Sequence, residues 1–450
     1  MRLQRMESCP PFNRTRHSDK IRRFPWISAT LKPRAMNRQR LLDRFLQYVK
    51  VDTMACDDVD HYPSSPGQMD LGKLILGQLH EMGLDNATQD EHGIILATIP
   101  GNTDGPVVAF NAHLDTSPET TAEGVQPQIV DAYDGQDIPL SGDPSKVITR
   151  DKCPALKNLV GKTLITTDGT TLLGGDDKAG VAIIMELASH LLENPDIPHG
   201  PVRILFTCDE EIGRGAQHVD VARVDATAAY TFDGGGRNHV DVETFSADLA
   251  TVTIRGINTH PAYAKDKMVN AIRAAGKFLE AMPSDAMPEK TAEREGFLHP
   301  YAMESGVAEV KMKVLLRSFD THQLQAYAEN LRGIAEHVEA ELPGCQIQIE
   351  VTKQYRNLGD GLQKEPRAAA YALEAHRRLN REPIEAIIRG GTDGSQFTEM
   401  GLLTPNLSSG QHNIHSPLEF ACLDEMLEAC EVGVELVKIW SEGPDISTSP

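Results

Sequence analysis

The chain has 450 residues, more than the roughly 250–300 at which a single hydrophobic core stops growing, so two domains are expected. With 40% hydrophobic and 24% charged residues, and no apolar run near the ~18 residues of a membrane span, the composition is that of a globular chain and excludes an integral membrane protein. The formal net charge of −21 is uneven: residues 1–40 carry eleven Lys/Arg against Glu7 and Asp19, leaving the remainder at about −30. An acidic body repels nucleic acid and anionic membranes, and it accepts metal cations and peptide ammonium groups.

Residues 1–35 are basic and contain no apolar core of signal-peptide length, so they read as a disordered extension. Met36 opens the run MNRQRLLDRFLQYV, a helix start that could itself mark the natural beginning. Seven scattered cysteines without a C-x-x-C pair indicate reduced thiols in a cytoplasm. The spacing of Leu41, Leu42, Phe45, Leu46 and Val49 predicts a helix over 38–50, and a second helix is expected over 71–82. Strands are expected at 93–99, 107–112 and 202–207, with a helix at 178–192 before the last of them. A strand at 228–233, a helix at 367–379, a strand at 385–389 and a closing helix at 423–440 follow. Continuous apolar strands alternating with helices indicate an α/β catalytic domain, 36–244 plus 356–450, whose mainly parallel sheet carries helices on both faces. Between them, 245–355 reads strand, helix, strand, helix, strand: a smaller inserted α+β domain.

The first chemical signal stands at a strand end, Phe110-Asn-Ala-His113-Leu-Asp115. Open α/β sheets bind ligands beyond the carboxyl ends of their strands, and residues two apart in extended chain share a side. His113 could then bind a metal while Asp115 holds its other nitrogen; alone, such a pair is more often a surface hydrogen bond. Asp176 and Asp177 follow two glycines at a loop-to-helix junction. One acid there fits a helix cap; a bridging metal ligand is the other reading. Asp209-Glu210-Glu211 directly follows an apolar strand, and three like charges so placed need cations or a shared proton. Adjacent side chains diverge, so one glutamate can coordinate while its neighbour acts as a general base. Asp233 precedes Gly234-Gly235-Gly236 at another strand end, as a turn or a ligand. His412 and His415 precede the last helix. Together His113, Asp176, Glu211, Asp233 and His415 make a cysteine-free set of two imidazoles and three carboxylates. That set suits two Zn²⁺ about 3.5–4 Å apart, sharing one carboxylate and one water.

The segments HLDTSP, TLITTDGTTLLGGDDKAG, DEEIGRGA, YTFDGGG, THPAYAK, IRGGTDG and PNLSSG, spread from about Leu41 to Trp440, resemble the peptidase T family of tripeptide aminopeptidases. That family lies within the wider group of two-zinc aminopeptidases, carboxypeptidases, dipeptidases and deacylases. The resemblance implies two Zn²⁺ per subunit: His113 and Asp233 on one, Glu211 and His415 on the other, and Asp176 bridging, with a cis bond to Asp177. It implies that Asp115 orients His113 and that Glu210 is the general base for a zinc-activated water. His260 would reach the scissile carbonyl oxygen from a partner subunit, in a homodimer built through the inserted lid and dimerisation domain. Arg389 would pair with the C-terminal carboxylate of a short peptide, a task suited to a guanidinium fork. One departure is Leu418, where the family usually has a second histidine, which opens the strictness of tripeptide selectivity. Alternatives are a two-zinc dipeptidase or N-acyl amino acid deacylase, and an inactive peptide- or metal-binding protein; the last needs neither Asp115 nor Glu210.

Overall fold

The computed structural model describes residues 35–443, so the basic extension expected over 1–35 lies, but for Ala35, outside the described residues. Besides shorter elements, the described chain opens with helices α1 (Arg38–Tyr48) and α2 (Pro66–Glu81), then strands β1 (Ile95–Ile99), β2 (Val108–His113) and β3 (Leu164–Thr166). Helix α3 (Gly175–Glu193) and strands β4 (Val202–Thr207), β5 (Ala228–Gly235) and β6 (His239–Thr244) follow. Next come β7 (Ser246–Arg255), α4 (Ala271–Ala281), β8 (Phe297–Ser305), β9 (Glu309–Ser318), α5 (Thr321–Glu341) and β10 (Gln346–Tyr355). It closes with α6 (Arg367–Arg378), β11 (Ile384–Ile388), α7 (Asp393–Glu399), β12 (Asn406–His412), β13 (Phe420–Cys422) and α8 (Leu423–Glu442).

Strands β4, β2, β5 and β12 lie side by side and parallel at the centre of the larger sheet. Three of them are nearly continuous apolar runs because the sheet is covered twice. Phe110, Ile204, Phe206, Tyr230 and Phe232 share a core with α1, α2, α3 and α8, whereas Ala109, Leu205 and Ala229 meet Val224 and Phe397 of α7 on the other face. The margins are antiparallel: β1 pairs with β4, and β13 with both β12 and β3. Helix α3 runs through the larger core, buried at every residue from Gly175 to Leu191. Its Glu186 is met by Arg40 of α1 at 2.6 and 2.9 Å, the pairing a buried carboxylate requires.

The inserted segment forms its own four-stranded antiparallel sheet in the order β8-β9-β7-β10, with a core against α4 and α5. Its elements run β-α-β-β-α-β, the ferredoxin-like order, one strand more than the sequence pattern shows. The extra strand is β8, on the sheet edge. It contains Pro300, tolerated on edges only, and is exposed from Tyr301 to Ser305, so it shows no inward alternation.

Candidate metal centre and active site

The carboxyl ends of the parallel strands open on a cleft of about 430 Å³, lined among others by Asp176, Glu210, Glu211, Asp233, Arg389 and His415. It lies there because β2 ends at His113, β4 at Thr207 just before the acidic run, and β5 carries Asp233 near its end.

His113 is buried, with Nε2 3.1 Å from Asp176 Oδ1, 3.8 Å from Asp233 Oδ1 and 3.9 Å from Glu210 Oε2. Its Nδ1 stands 3.3 Å from Asp115 Oδ1. The two Asp115 oxygens also accept the backbone N–H groups of Glu210 and Glu211, each at 3.0 Å. One carboxylate therefore holds both the imidazole and the acidic turn. On the opposite wall, His415 Nε2 lies 3.2 Å from Asp176 Oδ2 and 3.0 Å from Glu211 Oε2. Asp176 thus presents one oxygen to each histidine, the disposition of a bridging ligand. The Asp176–Asp177 bond is cis, as the resemblance implies.

Burial disfavours charge on these acids, and their mutual repulsion adds to it. Glu210 and Asp233 are pushed well above the usual carboxylate range, and Glu211 up to about 7. Asp176 is held low in spite of burial, by hydrogen bonds from His113 and His415. Burial opposes charge on both histidines, but the surrounding carboxylates prevail: His113 is raised well above its usual value and His415 to about 11. Crowded acids and protonated imidazoles of this kind are what bound cations resolve, by taking the place of the protons.

The donors fit divalent metals. Ligand atoms of His113, Asp176 and Glu211 lie within 4.8 Å of one another, as do those of His113, Asp177 and Asp233. Imidazole and carboxylate together are a donor set that first-row divalent ions accept. Glu211 Oε1 is buried without a hydrogen-bond partner, an orphan that a metal would satisfy. Asp177 joins the second group by distance only. Its oxygens accept the N–H groups of His113 and Gly180, both at 3.2 Å, and it is wholly buried, which leaves Asp176 as the acid of the pair that faces the cleft.

Arg389 reaches the cleft wall with its guanidinium engaged. Nη1 donates to the carbonyls of Glu293 and Glu295 at 2.8 and 2.7 Å, and Nη2 to Thr291 Oγ1 at 2.8 Å. His260 is exposed on the inserted segment, accepts the Ala262 N–H at 3.2 Å, and does not line the cleft within one chain. Leu418 packs beside the cluster of Leu156 and Phe420, while Ile414 is the apolar residue of that loop on the cleft wall.

Three supporting residues carry no role in the sequence reading. Glu419, buried, accepts the N–H groups of Leu173 and Gly174 on Oε2 at 2.7 and 2.9 Å, and that of Asp176 on Oε1 at 3.1 Å. Burial pushes its carboxyl to about 7 although these bonds oppose the shift. Gln411 donates to the Asp233 carbonyl and carboxylate at 3.1 and 3.3 Å. Asp209, first of the three acids, faces away from the cleft. It accepts the Ser64 N–H at 2.8 and 3.0 Å, the Ser64 hydroxyl at 2.5 Å and Gln68 Nε2 at 2.7 Å. A lone Glu before an aromatic, or a Gln after a glycine, has no spacing that marks it; the only available signal is proximity in sequence to His415.

The sequence model described as peptidase family M20/M25/M40 matches residues 169–439. The chain is 42% identical over 407 residues to peptidase T of Geobacillus thermodenitrificans, spanning 90% of this chain and 99% of that one. Its fold is shared with a tripeptidase of Staphylococcus aureus, with a TM-score of 0.73 and 22% identity over 91% of this chain and 100% of that one. A Bacillus subtilis protein described as a dinuclear metal-binding peptidase of the M20 family aligns over 90% of this chain and 98% of its own, with a TM-score of 0.61 and 18% identity.

Proposed function

Because this chain belongs to peptidase family M20/M25/M40 and is a metal-dependent peptidase, we propose that it removes the N-terminal residue from tripeptides and other very short peptides. The observation that carries this reading is Asp176, turned to both His113 and His415, with Glu210 beside it in one cleft. Two zinc ions, the cofactor we assign, would polarise the scissile carbonyl and lower the pKa of a water toward ~7. His113 and Asp233 would hold one, Glu211 and His415 the other, and Asp176 both.

The remaining residues divide the work. Asp115 keeps the His113 ring in register, the task of a carboxylate behind a ligating imidazole. Glu210, whose Oε2 stands 3.9 Å from His113 Nε2, is a cleft acid without a ligand role. It would take the proton from the attacking water and return it to the leaving amine. Arg389 would bind the substrate's C-terminal carboxylate, exchanging donors now given to the Glu293 and Glu295 carbonyls. A fixed anchor at that end limits the length of peptide that fits. His260 would act at the scissile carbonyl oxygen of a second copy, in a homodimer formed through the inserted sheet. Its exposure and its position away from the cleft within one chain support that reading. The cytoplasm remains the proposed compartment: the described cysteines are free, and no described helix is long and apolar enough to cross a membrane.

Glu210→Ala tests the assignment. It should lower turnover of a free-amine tripeptide by about 10²–10⁴-fold, while elemental analysis still finds both metals. Turnover near that of the unmodified protein would reject Glu210 as the base.

A further inference from the structure

Besides Glu210, a second acid in the cleft is not needed to hold metal. Asp241 lies on β6 directly opposite Asn406 of β12, lines the same cleft as Asp176 and Asp233, and is only 5% exposed. Asn406 Oδ1 accepts the Asp233 N–H at 3.1 Å, which turns Asn406 Nδ2 toward Asp241 Oδ2 at 3.0 Å. The Asp241 oxygen that faces this amide must therefore accept, so it carries no proton itself. Burial raises the Asp241 carboxyl to about 6, opposed by the Asn406 bond and by no neighbouring cation. A buried carboxylate with a single neutral partner is costly, and a core does not need it. A cationic ligand is what it lacks.

We propose that Asp241 receives the α-ammonium group of the peptide substrate. This rests on the aminopeptidase reading above. In an aminopeptidase the ammonium sits on the carbon next to the attacked carbonyl, so its partner must stand within one residue's reach of the metals. Asp241 lines the same cleft as Asp176, Glu211 and Asp233, and a single amide side chain links its carboxylate to the backbone N–H of Asp233. The other acids facing the cleft are committed: Asp176, Glu211 and Asp233 to metal, Glu210 to the travelling proton. A substrate with an acylated amine would bring a neutral amide instead and leave Asp241 buried without a counter-ion. Such an unpaired charge rejects the wrong substrate more strongly than a missing contact does. Asp241 is thus the residue that separates free-amine peptides from N-acyl amino acids and capped peptides.

The test compares trialanine with N-acetyl-trialanine on the zinc-loaded protein, its Asp241→Asn form and its Asp241→Glu form, with metal content measured on all three. The unmodified protein should strongly prefer trialanine. Asp241→Asn should cut kcat/KM for trialanine roughly 100-fold, mainly through KM, with metal content unchanged and hydrolysis of the acetylated peptide undiminished. Asp241→Glu should recover part of the loss. An unchanged preference in Asp241→Asn, or loss of bound metal in both variants, would overturn the assignment and leave Asp241 a support for Asn406. If the unmodified protein hydrolyses the acetylated peptide as fast as trialanine, the aminopeptidase reading itself fails, and that is visible before any variant is examined.

Discussion

Glu419 and Asp115 do for backbone what ligands do for metal. Each spends both carboxylate oxygens on N–H groups of the turns that carry Asp176, Glu210 and Glu211. Bonds from N–H groups to a charged acceptor contribute about 1.5–3 kcal/mol each, so removing three buried ones at once should be felt. Glu419→Ala is expected to lower the unfolding free energy of the metal-free protein by about 3 kcal/mol or more, measured by urea denaturation. A change within about 0.5 kcal/mol, the range of surface substitutions, would show that the Leu173–Asp176 loop holds itself. At this scale the sequence was legible where residues of one charge crowd at a strand end. Asp209-Glu210-Glu211 announces a cation, but the run does not say that Asp209 is the structural member, since Ser64 and Gln68 come from a distant helix start. Glu419 and Asp241 were illegible for the same reason: their partners lie 165 residues or more away.

Helix α3 shows how closely elements must approach to build the site. A Cβ on Gly180 would stand 2.2 Å from the Phe232 carbonyl oxygen and 2.5 Å from Asp177 Oδ1. Alanine ordinarily favours a helix interior over glycine by about 1 kcal/mol. Here the sign should reverse, with Gly180→Ala costing about 1–3 kcal/mol through overpacking; an equal or higher urea midpoint would contradict the close contact between α3 and β5. Elements with a sustained period were readable: β4 is found at the expected 202–207, and α8 begins at Leu423 as expected. Strand β12 was not, since its Ser408-Ser409-Gly410-Gln411 looks like a loop. Those polar residues are buried because they find partners on β5 and β6: Ser409 Oγ donates to the Gly234 carbonyl at 3.0 Å, and Ser408 Oγ accepts the His239 N–H at 2.9 Å. Polarity at a strand end beside a cleft misleads a reading that scores apolar periodicity.

At the scale of the molecule, His260 is carried by the segment that forms the four-stranded sheet, whereas the cleft lies at the strand ends of the larger sheet. The alternation of strands and helices made the double covering of the large sheet readable. Subunit arrangement leaves no such trace, because His260 in one chain is simply an exposed histidine. If it serves a second copy, mixing two inactive forms, Glu210→Ala and His260→Ala, should restore activity. Each mixed dimer regains one intact site, so recovery to roughly a quarter of the unmodified protein is expected once subunits exchange. No recovery, with mixed dimers shown to form, would confine His260 to its own chain or to no role. The most direct measurement is a metal titration: metal-free protein is given Zn²⁺ in steps while hydrolysis of a free-amine tripeptide is followed. Activity should rise until two equivalents per chain are bound and then level off; full activity at one equivalent, or without added metal, would contradict a centre in which His113, Asp176, Glu211, Asp233 and His415 hold two metals.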